Sequence, residues 1–357
     1  MSQTIWSSRP ADLYGRRKHD RLYTALWGVG ALFGGLASAS RWTPERVTPV
    51  PRTTRAIIAR REVLTPDVVA LTLADPDGGL LPAWRPGAHI DLRLPSGRRR
   101  QYSLCGPPGR RTDYRIAVRR IPDGGGGSVE VHDALREGDA CDFDGPRNAF
   151  SLVTDDREAL FVIGGIGVTP ILPMIRAAQQ RGMRWRAIYA GRAKDHLPLL
   201  DEVLAVAPDR VTVWADDERG RPPTATDLLA GAGPGTAVYV CGPSGMLEAV
   251  RAVRAEHADA PLHYERFGPP PVLGGIAFEL ELARSQRVLS VPANRSALDV
   301  MLDADPATAY SCQQGFCGTC KVKVLAGDVD HRGRGTEDGA MLVCVSRARS
   351  GRIVIDA

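Results

Sequence analysis

Four cysteines in the C-terminal part of the chain have a spacing that suits metal binding. They are Cys312, Cys317, Cys320 and Cys344. The first three follow the pattern C-x4-C-x2-C, which is typical of plant-type [2Fe–2S] clusters held by four thiolates. Ligands on one tight loop need a flexible backbone, and Gly315 and Gly318 can adopt positive φ there. We therefore predict that these four cysteines bind a [2Fe–2S] cluster.

Zinc and disulfides are the alternatives for these cysteines. Structural zinc usually uses two C-x2-C pairs, whereas this chain has one such pair inside a longer loop. Disulfides would require an oxidising compartment. The remaining cysteines, Cys105, Cys141 and Cys241, are scattered and are expected to be small buried apolar residues.

Length and composition limit what the rest of the chain can be. A chain of 357 residues should hold two or three domains. With 43% hydrophobic and 24% charged residues, its composition is that of a globular protein. The net charge of +5 is too small to indicate a nucleic-acid partner. Because a [2Fe–2S] cluster moves single electrons, the rest of the chain should contain their source.

Residues 1–51 are predicted to be an extension that precedes the domains. An uncharged run of nineteen residues, 22–40, has an apolar stripe at helical spacing but is diluted by glycine and serine. We predict an amphipathic helix that contacts the protein's own surface, a partner or a membrane face. Ala37-Ser38-Ala39 resembles a signal-peptide cleavage site. We nevertheless expect a cytoplasmic protein, with or without membrane association, because iron–sulfur and flavin proteins are normally assembled there.

The segment 52–153 is predicted to form an antiparallel β-barrel. Several short runs of β-branched and apolar residues alternate with turns rich in glycine, proline and aspartate. One strand carries Arg100, Tyr102 and Ser103, which offer a cation for phosphate, an aromatic ring and a hydroxyl. A glycine loop at 124–128 follows, whose backbone N–H groups can wrap a phosphate. A plain hairpin tip is the alternative for the loop, but together these features describe a flavin site.

The segment 154–267 is predicted to be a parallel α/β nucleotide-binding domain. A buried strand at 160–163 leads through Gly164, Gly165 and Gly167 into a helix at 171–180, so that helix N–H groups face a pyrophosphate. Further strands alternate with helices, and ligands bind at the strand C-termini of such sheets. Asp216 follows the strand at 211–214 and is expected to accept hydrogen bonds from ribose. This favours NADH over NADPH, although Arg219 and Arg221 could bind a 2′-phosphate.

The segment 268–357 is predicted to be a small β-grasp ferredoxin domain. A proline-rich linker precedes a hairpin at 278–291, a helix at 296–302, the cysteine loop and a strand at 321–325. The chain as a whole is thus predicted to be multidomain, combining α+β and α/β architecture.

These motifs resemble the phthalate dioxygenase reductase and vanillate demethylase reductase family. The resemblance rests on R-Q-Y-S-L at 100–104, G-P-R-N-A-F at 145–150, G-G-I-G-V-T-P at 164–170, Y-V-C-G-P at 239–243 and C-V-S-R-A at 344–348. It implies FMN in the barrel, with FAD as the alternative, held by Arg100, Tyr102, Ser103, Ala117, Val118, Arg119, Gly126, Gly127 and Ser128. It implies a pyridine-nucleotide site formed by Gly164, Gly165, Gly167, Thr169, Pro170, Arg192, Asp216, Cys241, Gly242, Pro243 and Phe267. Cys241, Phe267 and Ser103 would be the catalytic residues.

The resemblance also implies a function. Electrons from NAD(P)H would pass through FMN and the [2Fe–2S] cluster to a partner oxygenase, most often a Rieske dioxygenase or demethylase. A haem-thiolate monooxygenase is an alternative acceptor. Two further alternatives are a membrane-attached respiratory subunit and a metal-binding scaffold without redox function.

Overall fold

The computed structural model describes residues 53–122, 126–153, 158–233, 235–255, 261–268, 272–305, 308–310, 313–315, 318–333 and 339–357. The predicted helix at 22–40, Cys312 and Cys317 lie outside these ranges. Within them, no helix has the length and hydropathy needed to cross a membrane.

The first sheet is a six-stranded antiparallel barrel. Its strands are β1 (Thr53–Thr65), β2 (Val68–Ala74), β3 (Ala88–Arg93), β4 (Arg99–Ser103), β5 (Asp113–Arg119) and β6 (Ala140–Asn148), in the order β4-β3-β6-β1-β2-β5. A bridge between Leu104 and Ile116 joins the two ends of this sheet and closes it. Large apolar side chains such as Leu71, Ile90 and Phe143 are completely buried inside.

One helix in this region was not predicted. Helix α1 (Gly127–Ala134) begins at the glycine loop, where Gly126 precedes it with φ 78°. The segment Gly-Ser-Val-Glu-Val-His alternates apolar and polar residues, a pattern typical of strands. Gly126 and Gly127 thus form the start of a helix, where unpaired helix N–H groups are found.

The second sheet is parallel throughout, as predicted. Its strands are β7 (Glu158–Gly164), β8 (Arg184–Gly191), β9 (Val211–Ala215), β10 (Ala237–Cys241) and β11 (Leu262–Glu265), in the order β11-β10-β7-β8-β9. Its helices are α2 (Val168–Gln180), α3 (Leu200–Leu204), α4 (Asp216–Arg219), α5 (Ala225–Leu228) and α6 (Ser244–Ala255). Strand order reverses beside β7, which is where such sheets bind ligands.

The barrel and the parallel sheet share one apolar core. Val68 and Ala117 of the barrel belong to the same buried cluster as Phe161 and Ile171 of the second sheet. An ion-pair network crosses the same boundary, because Glu202 binds both Arg115 of the barrel and Arg176 of α2. Burial opposes ionisation of Glu202, but its hydrogen bonds to the two arginines prevail and lower its pKa. The two layers are therefore held together by packing and by charge.

The described residues of the C-terminal region form a mixed sheet and one helix. Its elements are β12 (Phe278–Leu282), β13 (Arg287–Val291), α7 (Ala297–Ala304), β14 (Lys321–Ala326), β15 (Val329–Asp330), β16 (Ala340–Leu342), β17 (Arg347–Ala348) and β18 (Arg352–Ile355). The sheet order is β13-β12-β18-β14-β16, and β15 pairs with β17. Ser296 and Asp299 cap α7 reciprocally, at 3.1 and 3.0 Å. The predicted hairpin, helix and following strand are all present.

Candidate functional site

A cleft of about 990 Å³ lies at the carboxyl ends of the parallel strands, against the barrel. Most of the residues predicted to bind nucleotide line it: Gly164, Gly165, Gly167, Arg192, Asp216, Gly242, Pro243 and Phe267. The barrel contributes Arg119, whose guanidinium forms an ion pair with Asp67 at 2.8 Å. The cleft therefore has the place and the size expected of a dinucleotide site.

The glycine turn before α2 is needed for close packing. A Cβ at Gly167 would lie 2.1 Å from the backbone oxygen of Cys241, and one at Gly164 would lie 2.5 Å from Cδ of Pro243. Both glycines therefore allow the end of β10 to approach the start of α2. This approach brings the Cys-Gly-Pro segment to the cleft.

Replacing Gly167 with alanine should weaken nucleotide binding. At Gly167 φ is −60°, which any residue can adopt. The clash of the new Cβ with Cys241 is therefore the reason that alanine does not fit. Overpacking of this kind costs about 1–3 kcal/mol. We expect KM for NADH to rise about tenfold, measured with a dye acceptor, and Tm to fall. Gly235→Ala is the control because no atom lies within 4 Å of its new Cβ; equal effects in both variants would contradict this explanation.

Like Cys241, which is completely buried, Thr169 and Pro170 differ from the other residues predicted to bind nucleotide. Both are buried in the first turn of α2 and do not line the cleft, and the Thr169 hydroxyl donates to the carbonyl of Ile166 at 3.0 Å. In this structure they shape the turn rather than the wall of the cavity.

Asp216 is the carboxylate best placed for a ribose. It starts helix α4 directly after β9. Its Oδ1 is buried and accepts no hydrogen bond from the described residues. Desolvation and the charge of Asp217 raise its pKa, while Arg192 partly opposes them. Asp216 lines the cleft, and a carboxylate there can accept a hydrogen bond from a ligand hydroxyl.

The two arginines that could bind a 2′-phosphate are already engaged. Arg219 and Arg221 lie over the ring of Trp214, at 4.9 and 4.8 Å from its centroid. Arg221 also forms an ion pair with Asp227 at 2.7 Å. Moving either arginine to a phosphate would break these contacts.

The predicted flavin side of the barrel is formed by β4 and the start of α1. A Cβ at Gly127 would lie 2.4 Å from Nε of Arg100, so the guanidinium rests on the helix N-terminus. A Cβ at Gly126 would lie 3.9 Å from the guanidinium carbon of Arg98. The Arg98 guanidinium is paired with Glu130 of the first turn of α1 at 3.4 Å, so Arg100 and the helix N-terminus are the groups that can attract an anion at this corner.

The other residues predicted for this side have different surroundings. The Ser128 hydroxyl accepts from the backbone N–H of Ile121 at 3.0 Å, so it already braces the loop. Tyr102 packs against the barrel core, and desolvation raises its pKa. Ala117 and Val118 are buried on β5. Of this group, only Arg119 lines the cleft.

A second cavity, of about 110 Å³, lies where all three regions of the chain meet. It is lined by His89, Arg100, Gln101, Ser103 and Ala149 of the barrel, by residues 264–268, and by Tyr310, Gln313 and Gln314. Phe267 is half exposed and lines both cavities. It therefore lies between the nucleotide cleft and the cysteine loop.

Glu265 is a functional candidate that the sequence analysis missed. It ends β11 beside Cys241, its register partner on β10. The Ser103 hydroxyl donates to its Oε2 at 3.4 Å, across the boundary between barrel and sheet. Desolvation raises the pKa of Glu265 to about 8, so the carboxyl group is protonated at neutral pH. In the sequence, the one sign of a role for Glu265 was its closeness to Phe267. Its burial depends on a contact with a residue far away in the chain, which a local pattern does not show.

Cys241 is completely buried. Burial, and secondarily the charge of Glu265, raise the pKa of its thiol. Cys105 and Cys141 are buried as well, as predicted. The Cys241 thiol is therefore neutral, so it is suited to packing against its neighbours and not to nucleophilic attack.

The cysteine loop is described in part. Gly315 and Gly318 have φ of 80° and 76°, as expected for a backbone that wraps a ligand. Cys320 and Cys344 are buried, and the N–H of Val343 donates to the carbonyl of Cys320 at 3.3 Å. The two cysteines thus belong to adjoining segments, which fits thiolates that share one cluster.

Comparison with family models identifies two parts of the chain. Residues 280–349 match the 2Fe-2S iron-sulfur cluster binding domain, and residues 161–252 match the oxidoreductase NAD-binding domain. These matches confirm the predicted iron–sulfur and nucleotide-binding modules. Both lie within the ranges predicted for those modules, whose boundaries remain a prediction.

Curated relatives match over most of their length. The chain is 39% identical to a putative toluene-4-sulfonate monooxygenase system reductase subunit of Comamonas testosteroni, covering 86% of this chain and 98% of the relative. It is 36% identical to the phthalate dioxygenase reductase of Burkholderia cepacia, covering 85% and 97%.

A solved structure shows the same architecture. It is a phthalate dioxygenase reductase, described as a modular structure for electron transfer from pyridine nucleotides to [2Fe–2S]. The TM-score is 0.68 at 34% identity, with 85% of this chain and 98% of that chain covered. The predicted combination of barrel, parallel sheet and ferredoxin-like domain is thereby confirmed.

Proposed function

We infer that this chain, which belongs to the phthalate dioxygenase reductase family, passes electrons from NADH to a Rieske-type oxygenase. The electrons would pass first through FMN and then through a [2Fe–2S] cluster. The small cavity shared by barrel, parallel sheet and cysteine loop is the observation that carries the proposal. The residues predicted to hold the flavin and those of the cysteine loop line it together, so the two cofactors would approach each other there. We divide the chain into an extension (1–51), a flavin barrel (52–153), a nucleotide domain (154–267) and a ferredoxin domain (268–357), and we place it in the cytoplasm.

The barrel residues fit a flavin mononucleotide. Arg100 and the N-terminus of α1 at Gly126 and Gly127 would hold a terminal phosphate, because both present N–H donors at one corner. Ser103 would donate to the ring. When bound, the flavin accepts two electrons from NADH and releases them singly to the cluster.

Extraction of the cofactor should yield FMN. The corner at Arg100 and Gly127 binds a terminal phosphate, whereas FAD would continue from it through a second phosphate to adenosine. Release of the flavin with acid, followed by chromatography, distinguishes FMN from FAD. Recovery of one FMN per chain is expected, and recovery of FAD would contradict this assignment of the corner.

Three side chains would act where nicotinamide and flavin meet. Cys241 ends β10 directly before Gly242 and Pro243 of the cleft wall, and burial keeps its thiol protonated and uncharged. Glu265 holds a proton on its carboxyl group at neutral pH and contacts the hydroxyl of Ser103. Together they exclude water and orient the rings without placing a charge beside them.

Phe267 would separate the two halves of the site. It lies on the path between the nucleotide cleft and the small cavity, and half of its surface is exposed. An aromatic side chain there can cover the flavin until nicotinamide displaces it.

Asp216 should make the enzyme prefer NADH. Its buried Oδ1 would accept a hydrogen bond from ribose and would repel a 2′-phosphate. Hydrogen bonds to charged groups contribute about 1.5–3 kcal/mol, so Asp216→Ala should lower kcat/KM for NADH at least tenfold. Asp217→Ala is the control, because that carboxylate is exposed on the same helix. A wild-type preference for NADPH would contradict this assignment and implicate Arg192, Arg219 or Arg221.

The four predicted thiolates would hold the cluster, and the partner is a terminal oxygenase. The function is tested by comparing two acceptors with NADH as donor: ferricyanide, which accepts electrons from the flavin, and cytochrome c, which depends on the cluster. We expect both to be reduced, and we expect a purified Rieske oxygenase to turn over its substrate when this protein is added. Reduction of ferricyanide alone would overturn the proposal.

A further inference from the structure

The cysteine loop is fastened to the rest of the molecule on both sides of Cys312. We propose that Tyr310 and Gln314 are positioning residues that hold this loop against the flavin site, so that electrons cross to the cluster within one chain. This inference rests on the proposed function, because it assumes a flavin in the barrel and a cluster on the loop.

Tyr310 fastens the loop to the barrel. Its hydroxyl accepts from Nη1 of Arg100 at 2.8 Å and donates to the carbonyl of Arg99 at 2.6 Å. The same Nη1 of Arg100 donates to that carbonyl at 2.9 Å. The hydroxyl therefore completes a closed set of three hydrogen bonds with β4. Tyr310 lies two positions before Cys312 in the chain, and without its hydroxyl Arg100 would still keep its own bond to the Arg99 carbonyl.

Gln314 fastens the loop to the nucleotide domain. Its Nε2 donates to the carbonyl of Arg266 at 3.0 Å. Arg266 precedes Phe267, which lies between the two cavities. The two sides of Cys312 are thus attached to two different domains, and both attachments lie on the wall of the small cavity.

These contacts matter because the covalent connection between the nucleotide domain and the ferredoxin domain is short and, by its sequence, poor in backbone N–H donors. The connection at 268–271 is Gly-Pro-Pro-Pro, and prolines donate no backbone hydrogen bonds. Electron transfer slows steeply with distance, so a small loss of docking lowers the rate even when both cofactors are intact. Tyr310 and Gln314 should therefore affect the second electron-transfer step and leave the first unchanged.

The test uses the holoprotein with the variants Tyr310→Phe, Gln314→Ala and the double variant. After rapid mixing with NADH, flavin reduction should keep its wild-type rate, while cluster reduction should slow about tenfold in the double variant, as expected for the loss of two or three hydrogen bonds. The cluster spectrum and the affinity for FMN should not change. Hydrogen–deuterium exchange in a peptide covering 99–103 should increase, also in protein stripped of flavin.

Tyr114→Phe is the matched control, because it removes a tyrosine hydroxyl that donates to the carbonyl of Pro82 within the barrel. It should leave cluster reduction unchanged. If the double variant reduces the cluster at the wild-type rate, the inference is overturned. It is also overturned if cluster reduction slows only in proportion to a loss of FMN affinity. Failure of the proposed function has a different signature, because then NADH would not reduce the cluster of the wild-type protein either.

Discussion

Replacing Cys344 with serine should abolish electron delivery to acceptors that depend on the cluster. A [2Fe–2S] cluster needs all four thiolates, so we expect cytochrome c reduction to fall more than about 100-fold, with the same result for Cys312, Cys317 and Cys320. Reduction of ferricyanide by the flavin should survive. The measurement is the ratio of the two rates with NADH as the donor.

Cys105→Ser is a suitable control for the cysteine variants. That cysteine is buried in the shared core and lies outside the loop. It should retain a full cluster spectrum, whatever its effect on stability. A full [2Fe–2S] spectrum in Cys344→Ser would show that the fourth ligand is another residue.

Replacing Glu265 with glutamine should remove the alkaline decline of flavin reduction by NADH. The pKa of Glu265 is about 8 in the folded protein, so the wild-type carboxyl group is neutral below pH 8 and charged above it. If the neutral form is the active one, the wild-type rate should fall about tenfold for each pH unit above 8. Because glutamine stays neutral, the decline in the rate of flavin reduction at pH 9 should be about tenfold smaller in the variant than in the wild type. Rapid mixing at pH 6–10 measures this.

Stability gives an independent check on Glu265. Its folded-state pKa is above the usual value of 4.5, so the unfolded state loses the proton first as pH rises. Wild-type stability therefore declines between about pH 4.5 and 8 relative to Glu265→Gln, and the difference stays constant above pH 8. Equal Tm differences at pH 4 and pH 9 would show that the carboxyl group is not desolvated as the structure indicates.

The fold was predictable where local pattern and burial agree. The apolar runs at 68–73 and 160–163 became β2 and β7, and both strands pack against apolar neighbours on both faces. Helix α1 was missed because Val129 and Val131 alternate with polar residues. Its helical form depends on Val131 packing in the barrel, which is a tertiary contact.

The site was predictable where a motif carries its own chemistry. Gly164, Gly165, Gly167, Gly242 and Pro243 line the cleft, as their types suggested, whereas Cys241 is completely buried. Glu265 escaped because its raised pKa arises from desolvation in a domain interface. The contact between Arg100 and Tyr310 joins residues 210 positions apart, and no local pattern reports it. Thr169 was assigned to the site from the motif, but its hydroxyl serves the turn.

The central claim is that one chain links NADH to a [2Fe–2S] cluster. Anaerobic titration of the purified protein with NADH, followed by optical absorbance and electron paramagnetic resonance, tests it most directly. We predict bleaching of a flavin band together with the appearance of one reduced [2Fe–2S] signal per chain. A colourless protein containing zinc, or a flavin that NADH reduces with no cluster signal, would contradict the account.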